Sequence, residues 1–223
     1  MTRFVSPIGF SGNRVTRPII ARGLTAGDEV VLLAPEQADS GAQEQTQQAI
    51  HDVEDTLSGV VHQVTVTTRQ LSATEFGATV DHISQILVED PPPVVCLGAG
   101  ATDLALPTAI AAFAHHSYVQ DVMMFSDLER SGTTPTIPDL TARIPGRTRD
   151  VFRALANRMD EPPATVSELA DAAGRSVSTA SRHIDALADE GLVEKQRTEQ
   201  AKTVSLTVTG RLFARNLSCD KVE

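Results

Sequence analysis

Two kinds of group in this chain are suited to chemistry by type and spacing. The first are side chains at the start of a short polar helix, Ser176, Ser178, Thr179, Ser181 and Arg182. Hydroxyls with a guanidinium one turn later match the donors and acceptors on base-pair edges in a major groove, and Arg182 is the candidate for a bidentate contact to guanine. The second kind is backbone. Gly98-Ala99-Gly100-Ala101-Thr102-Asp103 follows an apolar run and opens a helix. Its small residues let a ligand approach N–H groups that have no partner inside the helix, which suits a phosphate. The same loop is equally the form of a purely structural turn. Gly9-Phe10-Ser11-Gly12-Asn13-Arg14 ends the first apolar run and adds a hydroxyl and a cation. Arg14 suits either a ligand or a carboxylate on its own helix.

Other chemistries find little support. The 98–103 loop lacks the third glycine of a dinucleotide fingerprint and the lysine of a P-loop. His115 and His116 are adjacent; neighbours on a helix point apart and cannot chelate one ion together, so they suit a helix end. Cys96 lies in an apolar run and Cys219 in the tail, giving neither a disulfide framework nor metal-ligand spacing. Met123-Met124 suits a core or an interface. The expectation is no metal, no cofactor and no catalytic residue.

The elements that must position the polar helix are legible in order. Thr165 precedes Glu168 at capping-box spacing. Val166, Leu169, Ala170 and Ala173 then repeat at helical intervals, and Gly174 supplies a turn. Ser176 caps a second helix whose apolar stripe is Val177, Ala180, Ile184, Leu187 and Ala188. Gly191 stops it. Leu192–Arg197 and Lys202–Val208 read as two strands around a polar turn at 198–201, and Gly210–Leu217 as a last helix. Thr148 is placed as the cap of an earlier helix containing Val151, Phe152, Leu155 and Met159. This sequence of elements resembles the winged helix-turn-helix regulators of archaea and bacteria. The resemblance implies that Ser178, Thr179 and Arg182 read base edges, flanked by Ser176 and Ser181. It also implies that Lys195, Arg197 and Lys202 beside the wing turn, with Arg175, touch the backbone or minor groove.

Upstream, strands alternate with helices. Phe4–Gly9, Val30–Ala34, His62–Thr68, Val94–Leu97 and Val119–Phe125 read as strands. Between them lie helices at Val15–Ile20, with Pro18 in the first turn, at Gln43–Leu57, at Phe76–Val88 and from Asp103 to about His115. Asp127–Pro145 holds strand-like and turn-like pieces in no clear order. The pattern predicts an α/β fold, a doubly wound and mainly parallel sheet that binds ligands at the carboxyl ends of its strands.

The combination resembles the CRISPR-associated Rossmann-fold (CARF) regulators of archaea. It does so through Ser6-Pro7-Ile8-Gly9-Phe10 with Asn13-Arg14 and through Val94–Ala105, VVCLGAGATDLA, in an order that extends over nearly the whole chain. Relatives with a T-G-G-T-K-like second loop carry a polar or basic residue where this chain has Ala101 and Asp103. The resemblance implies a homodimer in which residues 9–14 and 98–103 of both protomers bind a cyclic oligoadenylate, cyclic tetra-adenylate first among candidates. Double-stranded promoter DNA of CRISPR-Cas genes would be the second partner. The expected organisation is a CARF-like sensing and dimerisation domain over 1–145, a winged helix-turn-helix domain over 146–217 and a tail, 218–223. Three alternatives stand beside it. The first domain binds another nucleotide, or only dimerises, or cleaves its cyclic ligand with Ser6, Ser11 or Thr102 as nucleophile.

Charge adds a constraint. Residues 1–145 hold 7 Arg, no Lys and 17 acidic residues, a net −10, whereas residues 146–223 hold 12 basic and 12 acidic residues. Only 3 Lys accompany 16 Arg. That bias suggests a halophilic proteome. At molar salt the Debye length is about 3 Å, and counterion release contributes little to DNA affinity. No apolar run approaches the roughly 18 residues that span a bilayer, and the N-terminus lacks a signal-peptide pattern, so the expected location is the cytoplasm.

Overall fold

The structure, a computed structural model, describes residues 1–36, 39–98, 100, 102–126, 131–197 and 202–219. The chain forms two compact units, Met1–Ile137 and Pro138–Glu223. The division falls a few residues before the boundary expected at Pro145.

In the first unit the elements are β1 (Arg3–Pro7), α1 (Asn13–Arg22), β2 (Glu29–Pro35), α2 (Ser40–Val60), β3 (Thr65–Leu71), α3 (Phe76–Leu87), β4 (Pro93–Cys96), α4 (Thr102–Ala114), β5 (Asp121–Ser126) and β6 (Ser131–Thr133). They build one sheet in the order β3-β2-β1-β4-β5-β6. Strands β1 to β5 run parallel, and β6 pairs antiparallel with β5. Alternation along the strands creates two cores. Phe4, Val30, Leu32, Val94, Cys96 and Met123 face one side and are covered by Val15 and Ile19 of α1 and by Ile50, Val53 and Leu57 of α2. Val5, Val31, Leu33, Val95 and Val122 face the other and are covered by Ile83 and Leu87 of α3 and by Leu104 and Ala111 of α4. Strands buried on both faces need apolar residues at successive positions, which is why Val30–Ala34 reads as a continuous run. Each fully buried branched side chain contributes about 1.5–3 kcal/mol.

Three local details differ from expectation. Helix α2 begins at Ser40 because the Asp39 carboxylate accepts from the N–H groups of Gly41 and Ala42. Pro18 lies inside α1 rather than in its first turn, since that helix begins directly after Gly12. The region with no clear order yields the short antiparallel strand β6; Asp127–Arg130 lies outside the described residues.

The second unit contains a 3-10 turn (Gly146–Thr148), α5 (Arg149–Ala156), β7 (Ala164–Thr165), α6 (Val166–Ala172), α7 (Val177–Asp189), β8 (Val193–Arg197), β9 (Lys202–Leu206) and α8 (Val208–Cys219). Its core gathers Val151, Phe152, Leu155, Leu169, Ile184, Leu187, Leu192 and Val204. The two residues of β7 were not foreseen; they add a third strand in the order β7-β9-β8. Thr148 stands at the N-terminal boundary of α5 without capping it, because its hydroxyl donates to the Pro145 carbonyl. Among the described residues no helix is long and apolar enough to cross a membrane.

Candidate functional site

Strand order reverses between β1 and β4. These are neighbours in the sheet, yet α1 packs on one face and α4 on the other. The crevice at such a point lies at the carboxyl ends of the two strands, and the 9–14 and 98–103 loops both emerge there. Two glycines of the second loop pack closely against neighbouring strands. A Cβ added to Gly100, which has φ of 102°, would fall 2.6 Å from Cβ of Pro7 at the end of β1. A Cβ on Gly98 would fall 2.5 Å from the backbone nitrogen of Phe125. Both positions therefore exclude a side chain, and Gly98 and Gly100 approach their neighbours through their backbone.

Around this point Phe10, Ser11, Asn13, Arg14, Gly100, Thr102 and Asp103 are exposed, whereas Gly9 and Gly12 are buried. Phe10 is 62% exposed, unusual for a phenylalanine outside an interface. Helix α1 begins without a side-chain cap. Its first turn and that of α4 both start at the switch point, the arrangement that favours an anion. Asp103 in the first turn of α4 supplies a negative charge there itself. Ala99 and Ala101, named with this loop, lie outside the described residues. The Ser6 hydroxyl is buried and directed to the carbonyls of Pro7, at 3.2 Å, and Cys96, at 3.4 Å. Burial pushes the Cys96 thiol up to about 12, so it stays protonated within the core.

The second unit holds the other group of candidates. Thr165 and Glu168 form the expected capping box before α6. Gly174 turns the chain at φ of 62°. Ser176 caps α7, its hydroxyl oxygen accepting from Thr179 N–H at 3.3 Å. The same hydroxyl lies 2.9 Å from Oγ1 of Thr179 and 3.1 Å from Oγ of Ser178. Ala180, Ile184 and Leu187 are buried, as the apolar stripe requires. Val177 departs from that stripe: it is 52% exposed, because the first residue of α7 projects past the core. The exposed face instead carries Ser178, Arg182, Asp185 and Asp189; Thr179 and Ser181 are half-buried at its flanks.

Two of the expected phosphate-binding cations, Arg175 and Lys195, already have partners. Arg175 is bound to Asp150, and that hydrogen bond holds the Asp150 carboxyl below the usual range. Lys195 Nζ donates to Asp185 at 2.8 Å, which raises the lysine. Lys195, Arg197, Lys202, Ser181 and Asp185 line a groove of about 190 Å³ between α7 and the β8–β9 hairpin. Residues 198–201 at the hairpin tip lie outside the described residues. Sequence reading passed over Asp185, although its place three residues after Arg182 puts it on the same helical face. His183 stands at the flank of the polar face, as its spacing suggests, and its buried Nδ1 has no partner among the described residues. No cluster of three or more metal-ligating side chains occurs among the described residues.

Comparison with known proteins agrees with this division. Residues 148–196 match a family described as a helix-turn-helix domain. Among curated proteins nothing matches. The MarR family transcriptional regulator SPO1453 from Silicibacter pomeroyi DSS-3 is 27% identical over 32% of this chain and 52% of its own, with a TM-score of 0.29. The S. aureus MepR–DNA complex is 19% identical over 34% and 63%, with a TM-score of 0.31. FabT of Streptococcus pneumoniae, in complex with DNA, is 22% identical over 31% and 50%, with a TM-score of 0.29. The matched part thus spans about half to two thirds of those chains. Residues 2–134 match the Csa3 CRISPR-associated Rossmann-like domain, and the helix-turn-helix match beside it supports a DNA-binding transcription regulator. With more than half of its residues in the Rossmann-like match, the chain belongs to the family of proteins that carry the Csa3 CRISPR-associated Rossmann-like domain.

Proposed function

We propose that this protein is a homodimeric regulator of CRISPR-Cas genes whose Rossmann-like unit binds a cyclic oligoadenylate, with cyclic tetra-adenylate as the first candidate. The observation that supports the reading is that β1 and β4, the strands that precede these two loops in the sequence, are neighbours at the reversal of strand order. Two helices begin there, and exposed Ser11, Asn13, Arg14 and Thr102 surround them. A ligand with two-fold symmetry suits the axis of a two-fold dimer. Helix α4 supports the dimer: one face is buried against the sheet, while Leu106 and Ile110 on the other are 53% and 38% exposed. The ligand alters DNA affinity by binding two states of the dimer unequally. In the second unit, Ser178, Thr179 and Arg182 read bases, and Lys195, Arg197 and Lys202 contact the backbone. The protein binds its effector without turning it over.

The test is calorimetric titration with cyclic tetra-adenylate in high-KCl buffer, followed by chromatography of the recovered ligand. Intact ligand bound at one per dimer is the expected result. Heat without saturable binding, from protein that still binds DNA, overturns the effector assignment. Recovery of linear products overturns the binding-only role.

A further inference from the structure

The exposed face of α7 divides along its length. Its N-terminal half offers Ser178 and Arg182; its C-terminal half offers Asp185 and Asp189. A carboxylate facing DNA is repelled by phosphates, and in the major groove only the exocyclic amines of cytosine and adenine offer donors to it. Asp185 is not an idle surface charge. It holds Lys195 of β8 at 2.8 Å across the groove that also contains Arg197 and Lys202. Lys195 therefore has two competing partners when DNA approaches, a phosphate oxygen or Asp185.

We propose that Asp185 is a specificity-determining residue that withholds Lys195 from phosphate unless a cytosine amine takes its place. Opposite a cytosine, the Asp185 carboxylate accepts from the N4 amine and Lys195 is released to a neighbouring phosphate. Opposite guanine or thymine the carboxylate meets acceptors, and opposite adenine the N7 acceptor lies beside the amine; in each case it keeps Lys195. One ion pair thus couples a base contact to a backbone contact and suppresses binding to the wrong sequence. This rests on the reading of α7 as the helix that enters DNA. It goes beyond that reading, because a residue of like charge to DNA is given a selective role. Asp185 acts partly through Lys195, so it is a positioning residue as well as a base reader.

The experiment is selection of the full-length protein on a pool of random-sequence duplexes. It is followed by affinity measurements against KCl on the selected and unselected duplexes. Wild type, Asp185→Asn, Lys195→Ala and the double variant are compared. In Asp185→Asn the freed lysine is expected to raise affinity for unselected duplex about two- to fivefold, the scale of one exposed ion pair. The slope of log affinity against log salt should steepen by about one. The selected pool should lose one cytosine column. In the Lys195→Ala background, Asp185→Asn should leave the slope unchanged. If wild type and Asp185→Asn select the same sequences with the same slope, the role assigned to Asp185 is overturned while the DNA-binding reading stands. If folded wild type enriches no sequence and retains no duplex, both fail together.

Discussion

At the β1–β4 switch point the proposed ligand groups are chiefly backbone, beside two glycines that admit no side chain. On α7 they are side chains standing clear of a packed stripe. The first arrangement is fixed by topology and is sensitive to any added carbon. The second is adjustable residue by residue, but its charges are partly spoken for: Arg175 by Asp150 and Lys195 by Asp185. The two sites should therefore fail in different ways, and substitutions can show whether they do.

The largest effect is expected in the smaller core. Phe152 is fully buried in the second unit, and Phe152→Ala should cost about 3–5 kcal/mol. Against a typical domain stability of about 5–15 kcal/mol, that is enough to abolish DNA binding in a gel-shift assay. Calorimetric binding of cyclic tetra-adenylate should survive, since the site proposed for it lies in the other unit. Equal loss of both activities would break the separation.

Gly98→Ala should act in the opposite sense. The new Cβ must displace the Phe125 backbone, an overpacking cost of about 1–3 kcal/mol. Effector binding should weaken, with DNA binding in the absence of effector retained. Gly77→Ala in α3 is the control: its Cβ meets nothing within 4 Å, and alanine favours a helix by up to about 1 kcal/mol. If both substitutions behave alike in thermal unfolding and titration, close backbone packing does not define the site.

How much of this was legible in the sequence follows the same contrast. The helix-turn-helix region reads almost directly, because caps, turns and stripes are local. Thr165 with Glu168, Gly174, Ser176 and Gly191 each stand where expected. Alternating strands and helices likewise predict the parallel sheet. Strand order does not follow from local pattern, so the adjacency of β1 and β4 is legible only in the structure. What escaped was non-local. Strand β7 is two residues long and exists only because β9 pairs with it. The Asp185–Lys195 pair joins residues from a helix and a strand. The exposure of Val177 depends on where the core ends, which its helical phase does not state.

A smaller effect concerns capping. The Thr165 hydroxyl accepts from Glu168 N–H at 3.3 Å, while Glu168 accepts from Thr165 N–H at 2.7 Å. Thr165→Ala should cost about 1 kcal/mol, read as a lower denaturation midpoint of the second unit. Helix α1 has no side-chain cap to lose at Gly12. An unchanged midpoint for Thr165→Ala would show that β7 pairing, rather than the cap, fixes the start of α6.

The smallest differences are electrostatic, and acid should separate the units again. Burial pushes the Asp28 carboxyl up, but hydrogen bonds from Thr2 N–H, Thr25 N–H and the Thr25 hydroxyl outweigh it and hold the group below its usual value. A depressed folded-state value means that the stabilisation is present above the unfolded-state value and is lost as pH falls through the folded one. Asp28→Asn should therefore be less stable than wild type at neutral pH, with the gap closing on acidification. Asp150 is also held low, by its hydrogen bond to Arg175, so Asp150→Asn should show the same sign. The environments differ: Asp28 is buried, while the Asp150 and Arg175 side chains are 42% and 46% exposed. In molar KCl, where screening acts within about 3 Å, the Asp150 gap should shrink further than the Asp28 gap. Denaturation midpoints across pH at two salt concentrations would decide it. Equal salt sensitivity at the two sites would mean that burial does not set how strongly these carboxylates are protected from solvent ions.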